Sequence, residues 1–292
     1  PRSPSGRGAL LASLLVLVTL VAGPLSAQVP NPHSVQPERP TVATHAGTVS
    51  PGWLELESGL EYDRFRDATR AVALPVYLKF GIARRVQLGL SLPFISPPDA
   101  GLGPGDLSLG LKLRLAEGAG PLGDFAILPV LKLPTGSLAA GRGTGTTDAS
   151  LLLISSHTFG PVALDLNVGI TRRSGDGVGA PRTATLWTVS WGGPAVGGLG
   201  WVAEAFGFPE TKGPAGSPGI VALLGGPTYR VAPWLVLDAG GILPLTGTGT
   251  QPKALYLGLT WNAGRYWPGG GRLSPLRPPP NSPRGVLRRS GR

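Results

Sequence analysis

The stretch GDLSLGLKLRL, residues 105–115, places leucine at every second position from Leu107 to Leu115, with Ser108, Gly110, Lys112 and Arg114 between them. Period two is the side-chain period of a β-strand, so the leucines share one face and the polar residues the other. A soluble sheet buries the leucines and wets the charges. A membrane barrel turns the leucines to lipid and the charges to its own lumen. The alternation is common to both, so the choice rests on the rest of the chain.

Outward from this stretch, similar segments recur near 53–63, 70–81, 85–95, 124–134, 147–158, 161–172, 182–192, 199–209, 219–230, 234–244 and 252–263. With 105–116 they make about twelve, bounded by Gly, Pro, Asn and Asp, and no convincing amphipathic helix lies among them. In LELESGLEY, Leu54, Leu56, Leu60 and Tyr62 oppose Glu55, Glu57, Gly59 and Glu61. In VALDLNVGI, Val162, Leu164, Leu166 and Val168 oppose Asp165 and Asn167. Runs of about ten alternating residues separated by turns are the sequence pattern of transmembrane barrels.

Three further patterns point the same way. Tight links such as IARR, TFGP and VAP alternate with longer ones such as SPPDAGLGPG and TGSLAAGRGTGT, although EGAGPLG and GGPAVGGLG are not short. Short periplasmic turns alternating with longer external loops are the barrel rule. With the first strand rising from the periplasm, Trp53, Trp191, Trp201, Trp234 and Trp261 all fall at one rim, joined by Phe80, Phe125 and Phe159, while Tyr62, Phe94 and Phe208 fall at the other. Two such girdles mark the membrane interfaces. Pro93, Pro134, Pro209 and Pro244 sit near strand ends, where a missing donor does least harm, and Pro75 alone is expected well inside a strand. Lipid-facing Lys112 and Arg114 would cost on the order of 2 to 4 kcal/mol each near the midplane. In a barrel, therefore, they face inward.

The ends differ from this body. Residues 1–27 show Arg2 and Arg7, an apolar run from Ala9 to Ala22, Pro24 and then small residues, the layout of a cleaved secretory signal. Residues 28–52, with Pro30, Pro32, Pro37 and Pro40, read as an extended periplasmic leader, and 268–292 as a disordered basic Pro/Arg-rich tail. The formal charge of +10 is concentrated at the ends, because residues 53–267 hold 17 basic against 15 acidic side chains. A nucleic-acid-binding face is thereby disfavoured. The absence of cysteine excludes disulfides, zinc-thiolate sites and thiol nucleophiles.

The order of motifs GWLELESGLEYDR, LPVYLKFGIARRVQLGLSLPF, GPGDLSLGLKLRL, LKLPTG, GTGTTDASLLL and GPVALDLNVGI resembles the outer-membrane proteins of the meta-pathway phenol-degradation family, over roughly residues 52–265. The resemblance implies an outer-membrane barrel of the transporter or channel kind, associated by name with aromatic degradation. Here the aromatic-rich last strand, YLGLTWNAGRYW, is followed by the basic tail.

Little in the sequence suggests catalysis or a cofactor. His33, His45 and His157 are the only histidines, too few for a metal cluster. Ser155 and His157 share a strand face and can pair, but no acidic orienter is evident. GRGTGTTD lacks the Lys-Ser/Thr and the helix of a phosphate loop, and reads as an external loop. The inward row instead supplies candidate lumen and selectivity residues: Glu55, Glu57, Glu61, Lys79, Lys112, Arg114, Lys132, Asp165, Glu204 and Asp238. Leu128, Val130, Val202 and Phe206 are also expected inward, beside Gly89, Ser91, Gly110, Ala126 and Gly258.

The expectation is an all-β, transmembrane, antiparallel up-and-down barrel of about 12 strands over residues 53–267, with a narrow, partly plugged lumen. It passes small, partly apolar solutes without a cofactor, sits in outer-membrane lipid and is inserted by the barrel-assembly machinery. A closed structural or adhesive barrel, a soluble exported β-protein and a barrel hydrolase remain as alternatives.

Overall fold

The computed structural model describes residues 31–177, 180–213, 215–246 and 251–267. The expected signal segment, 1–27, and the basic tail, 268–292, lie outside the described residues. The described residues from Pro32 onward form one compact unit.

A single antiparallel sheet closes on itself as a 12-stranded barrel. Its staves are β1 (Trp53–Arg64), β2 (Arg70–Leu74 and Val76–Ala83), β3 (Val86–Ser91 and Phe94–Ser96) and β4 (Gly103–Pro104 and Leu107–Ala116). They continue as β5 (Asp124–Leu133), β6 (Asp148–Phe159), β7 (Val162–Arg173) and β8 (Thr183–Pro194). The last are β9 (Leu199–Phe208), β10 (Ile220–Ala232), β11 (Leu235–Pro244) and β12 (Lys253–Arg265). Each stave pairs with the next, and β12 returns to β1 from Trp53↔Arg265 to Arg64↔Lys253. Closure leaves no sheet edge, as a chain crossing hydrocarbon requires.

The connections fall in turn at the two ends of the barrel, and those at one end are shorter except for 117–123, which is longer than 65–69 and 97–102 at the other. The links 84–85, 117–123, 160–161, 195–198 and 233–234 lie at one end, and 65–69, 97–102, 134–147, 174–182, 209–219 and 245–252 at the other. EGAGPLG is compact because it folds into a 3-10 turn over Gly120–Leu122. The two ends are called the short-turn end and the long-loop end.

Proline and glycine shape the first staves. Pro75 splits β2, and Leu92-Pro93 splits β3, while Gly105-Asp106 interrupts β4. Pro75 is not the only proline inside a strand, since Pro129 sits within β5, opposite Leu151, and Pro227 within β10, opposite Trp201. Proline is tolerated where its missing N–H falls at a non-bonded position of the ladder.

The outer surface answers the question posed by residues 105–115. Leu109, Leu111 and Leu115 are 38%, 38% and 51% exposed, whereas Lys112 is fully enclosed. Leu88, Leu131, Leu151, Leu153, Val168, Ile170, Leu237, Leu255 and Leu257 continue the exposed apolar belt around the barrel. So large a contiguous apolar surface is incompatible with water and suits a bilayer. Trp191, Trp201, Trp234 and Trp261 are exposed at the short-turn rim, with Phe159 beside Trp191 at 6.3 Å.

Residues 32–50 belong to the stretch expected, at 28–52, as an extended periplasmic leader. They are extended, but they lie inside the barrel: Val35, Ala43, Ala46 and Val49 are buried, with Ala46 and Val49 at 0% and 1% exposure. The segment enters at the short-turn end, where Val35 N donates to Pro233 O at 2.9 Å and the His33 ring lies 4.9 Å from Trp53. It climbs to the level of Gly59 and Gly258 at Arg39, descends past Ser156 and Arg84, and joins β1. The return leg runs directly over Gly81, where a Cβ would collide with Ser50 O. Any side chain at position 81 would therefore push the segment off the wall.

Candidate functional site

The luminal segment has no helix or ladder of its own, so its backbone groups need partners from the wall. The inward row of side chains supplies them. Gln36 N donates to Glu55 Oε2 at 2.8 Å, and Glu38 N to Glu57 Oε1 at 2.7 Å. Val42 N and Ala43 N both donate to the Glu204 carboxylate, at 2.8 and 2.7 Å. Asn167 takes Thr44 N on Oδ1 at 2.8 Å and returns a bond from Nδ2 to Thr44 O at 2.9 Å, as a neighbouring strand would. Ala46 N donates to Ser156 Oγ and Val49 N to Gln87 Oε1. Glu55, Glu57, Ser156 and Gln87 lie in the short-turn half of their strands, and Asn167 and Glu204 near mid-strand, so the short-turn half of the lumen is filled.

Two buried lysines organise the charges. Lys79 Nζ lies 2.6 Å from Glu55, its partner in the β1 register, and 2.7 Å from Glu57, two residues further along β1, and donates to Gln36 O. Lys112 Nζ gathers Glu38 Oε1 at 2.5 Å, Thr44 Oγ1 at 2.8 Å and the His45 carbonyl at 2.9 Å, all from the luminal segment. Buried charge is tolerated only with such pairing. Burial alone would raise the pKa of Glu38, but the flanking Lys112 and Lys79 ammonium groups outweigh it and hold the carboxyl well below the usual range. Burial, followed by the Lys112 charge, pushes His45 down to about 3. The neutral ring is also what its geometry requires, since His45 Nδ1 accepts from Gly47 N at 3.0 Å.

At the top of the segment, Arg39 lies in a slot of the wall. Its Nη2 is 3.4 Å from Asp238 Oδ1 and 3.5 Å from Leu257 O. The slot exists because Gly59 and Gly258, paired across β1 and β12, carry no side chains; a Cβ at either would meet the guanidinium at 2.5 Å or less.

The structure thus gathers Glu55, Glu57, Lys79, Lys112, Glu204 and Asp238 around one segment, as holders of a plug and not as a bare lining. The remaining four candidates lie apart. Glu61 faces inward nearer the long-loop end, opposite Tyr256. Asp165 accepts from Ser156 Oγ. Arg114 stands at the short-turn rim, paired with Asp124 and Glu117, because β4 ends there. Lys132 binds Asp106 at 2.7 Å, and with Thr144 and Thr146 it ties the 134–147 loop over the opposite mouth. GRGTGTTD is accordingly part of a tethered loop at the long-loop end. The apolar inward residues form two clusters, Ala126, Leu128 and Ile154 with Ala46, and Phe206, Ala222, Leu224 and Tyr256.

Ser155 and His157 do pair, at 2.9 Å, but on the outward, lipid-facing side of β6. Ser155 Oγ donates to Leu122 O, and Asp165, on the other face, engages Ser156.

Glu38, Arg39, Gln87, Asn167 and Ser156 were not among the residues expected at the site. Asn167 and Gln87 occupy inward positions of alternating strands, which is a usable signal. Glu38 and Arg39 gave none beyond being a charge pair in an otherwise apolar and hydroxyl-rich stretch.

A closed sheet with an apolar outer belt, aromatic rims and alternating turn lengths is an outer-membrane-type β-barrel, here with its lumen occupied by the chain's own residues 32–50. The chain belongs to the family described as "Putative MetA-pathway of phenol degradation", whose model matches residues 38–256. Among solved structures, the fold is similar to that of an outer-membrane channel from Pseudomonas putida F1, with 16% sequence identity and a TM-score of 0.51, covering 74% of this chain and 97% of that one. It is also similar to the NanC porin, with 7% identity and a TM-score of 0.50, covering 71% and 98% respectively. No curated protein sequence matches the chain.

Proposed function

We propose that the protein is an outer-membrane channel for passive passage of small, partly apolar solutes, closed at rest by residues 32–50. One observation carries this reading: the short-turn half of the lumen is filled by a segment held through side-chain bonds to its backbone, outside the sheet. Displacing it opens a conduit without breaking a strand, and the wall stays hydrogen-bonded throughout. The short-turn end is then periplasmic, the belt is solvated by outer-membrane lipid, and the barrel-assembly machinery inserts the exported chain. The inner clusters around Phe206 and Leu128 favour a solute with an apolar body. No catalytic step is assigned. Among the described residues no acidic side chain bonds to the Ser155–His157 pair, which faces lipid at the short-turn rim.

The same bonds favour, as second reading, a permanently closed structural barrel. Planar-bilayer conductance separates the two. The intact chain is expected to show low or intermittent conductance, and a chain whose residues 36–48 are replaced by a Gly/Ser linker a steady, larger one. A linker-replaced barrel that is folded, by heat-modifiable gel migration, and still passes no ion or small solute leaves the structural reading.

A further inference from the structure

Between its ends the luminal segment is held mainly by close charge-assisted bonds, and those at its summit are longer. Glu204 takes two backbone N–H groups at 2.8 Å or less, and Lys112 has several acceptors from the segment. Arg39 by contrast reaches Asp238 and Leu257 O only at 3.4 and 3.5 Å. Asp238 is 6% exposed and its second oxygen, Oδ2, has no hydrogen-bond partner among the described residues; Arg39 Nε and the Tyr256 hydroxyl are likewise unpartnered. An enclosed carboxylate oxygen left without a donor is costly, and the wall carries it beside a cation that does not saturate it.

The surroundings suit a cation with an apolar body. Gly59 and Gly258 expose bare backbone, flat enough for a planar guanidinium to lie against. Asp238 and the Leu257 carbonyl are acceptors at one side. Glu61 stands two residues beyond Gly59 on the same inward row, opposite Tyr256, whose ring belongs to the apolar cluster with Phe206 and Leu224. No basic side chain of the barrel wall makes an ion pair with Asp238 among the described residues; its partner there is Arg39 of the luminal segment.

We propose that the slot formed by Gly59, Gly258, Asp238 and the Leu257 carbonyl is a binding site for a guanidinium- or ammonium-bearing solute, which Arg39 occupies as a built-in stand-in while the luminal segment is in place. The site deepens the channel reading and rests on it for its role in passage: a cationic solute entering from the long-loop end competes with Arg39 and so favours release of the segment. Charge-assisted bonds to Asp238 hold the head, and Tyr256, Phe206 and Leu224 receive the body.

The test uses the full chain with Arg39→Ala, which vacates the slot, and guanidinium chloride at millimolar concentration as probe against sodium chloride at equal strength. Two readouts are taken: protease protection of residues 32–50 in detergent, and conductance in planar bilayers. In the Arg39→Ala chain, which has no guanidinium to displace, the probe is expected to restore protection by pairing with Asp238, whereas in the parent chain it is expected to lower protection by competing with Arg39, in both cases at about 10-fold lower concentration than any effect of sodium. The double variant Arg39→Ala/Asp238→Asn, isosteric at 238 and checked for folding by heat-modifiable migration, is expected to lose that response. Indistinguishable guanidinium and sodium responses, or an unchanged guanidinium response in the double variant, overturn the site. Conductance distinguishes the two readings. Guanidinium-specific protection in a barrel that never conducts removes the channel but keeps the site, whereas conductance without guanidinium preference keeps the channel and removes the site.

Discussion

Lys112→Met is the substitution that most directly probes the closure of the lumen. Methionine keeps most of the apolar stem of the lysine but removes the ammonium that holds Glu38 at 2.5 Å, Thr44 Oγ1 at 2.8 Å and the His45 carbonyl at 2.9 Å. All three partners belong to the luminal segment, while Lys112 itself belongs to the wall, so the loss falls on the contact between them. Breaking a buried ion pair by removing one member costs about 3–5 kcal/mol, because the other charge stays enclosed without its partner. That shifts the balance between inserted and withdrawn segment by between about 150- and 5,000-fold. The chain has no cysteine, so Ala43→Cys, at a position 2% exposed, provides a single reporter thiol. Its labelling by an impermeant maleimide is expected to accelerate by up to that factor in the Lys112→Met background. Adding Glu38→Gln should return much of the loss, since both charges are then gone. A folded Lys112→Met barrel in which the reporter thiol labels at the parent rate would refute the claim that Lys112 anchors the segment.

Two further outcomes follow from other parts of the molecule. His45 is held neutral in the lumen with its pKa pushed down to about 3 from 6.5, so the withdrawn segment binds more protons between those values and insertion weakens as pH falls below 6.5. Between pH 6.5 and 5 the loss is roughly 1–2 kcal/mol for this partly buried ring, and the depressed Glu38 carboxyl adds in the same direction below its ordinary range. Conductance is therefore expected to rise on acidification, and His45→Gln to flatten the profile above pH 5. On the outer wall, Leu111→Arg should destabilise the barrel in vesicles by about 2–4 kcal/mol, read from the urea midpoint of folding, because Leu111 faces the hydrocarbon.

Much of the barrel could be read from the sequence, for a local reason. A strand that separates lipid from lumen must alternate, and Leu107 to Leu115 against Lys112 and Arg114 states that alternation residue by residue. The strands near 124–134 and 161–172, found at Asp124–Leu133 and Val162–Arg173, are likewise set by neighbouring residues, as are most of the link lengths and the tryptophan rim, together with the thickness of a bilayer. The inward direction of Glu55, Lys79, Lys112 and Glu204 was recoverable from parity alone. Their task was not. Side chains expected to line a pore hold a segment instead, and Arg114 and Lys132, identical to Lys112 by parity, brace the two rims because of where their strands end.

The strands, their facing and the presence of a charged interior are written locally in the chain, since period two and the transfer cost of charge act within a few residues. What fills that interior emerges only when the barrel closes. Residues 32–50 have no period, since they form no ladder. Their partners lie far along the chain: Thr44 meets Asn167 across 123 positions, Val42 meets Glu204 across 162, and Arg39 meets Asp238 across 199. Those contacts come into being when β12 closes on β1 and the inward rows of distant strands converge on one axis, where an unladdered backbone finds the acceptors and donors it lacks.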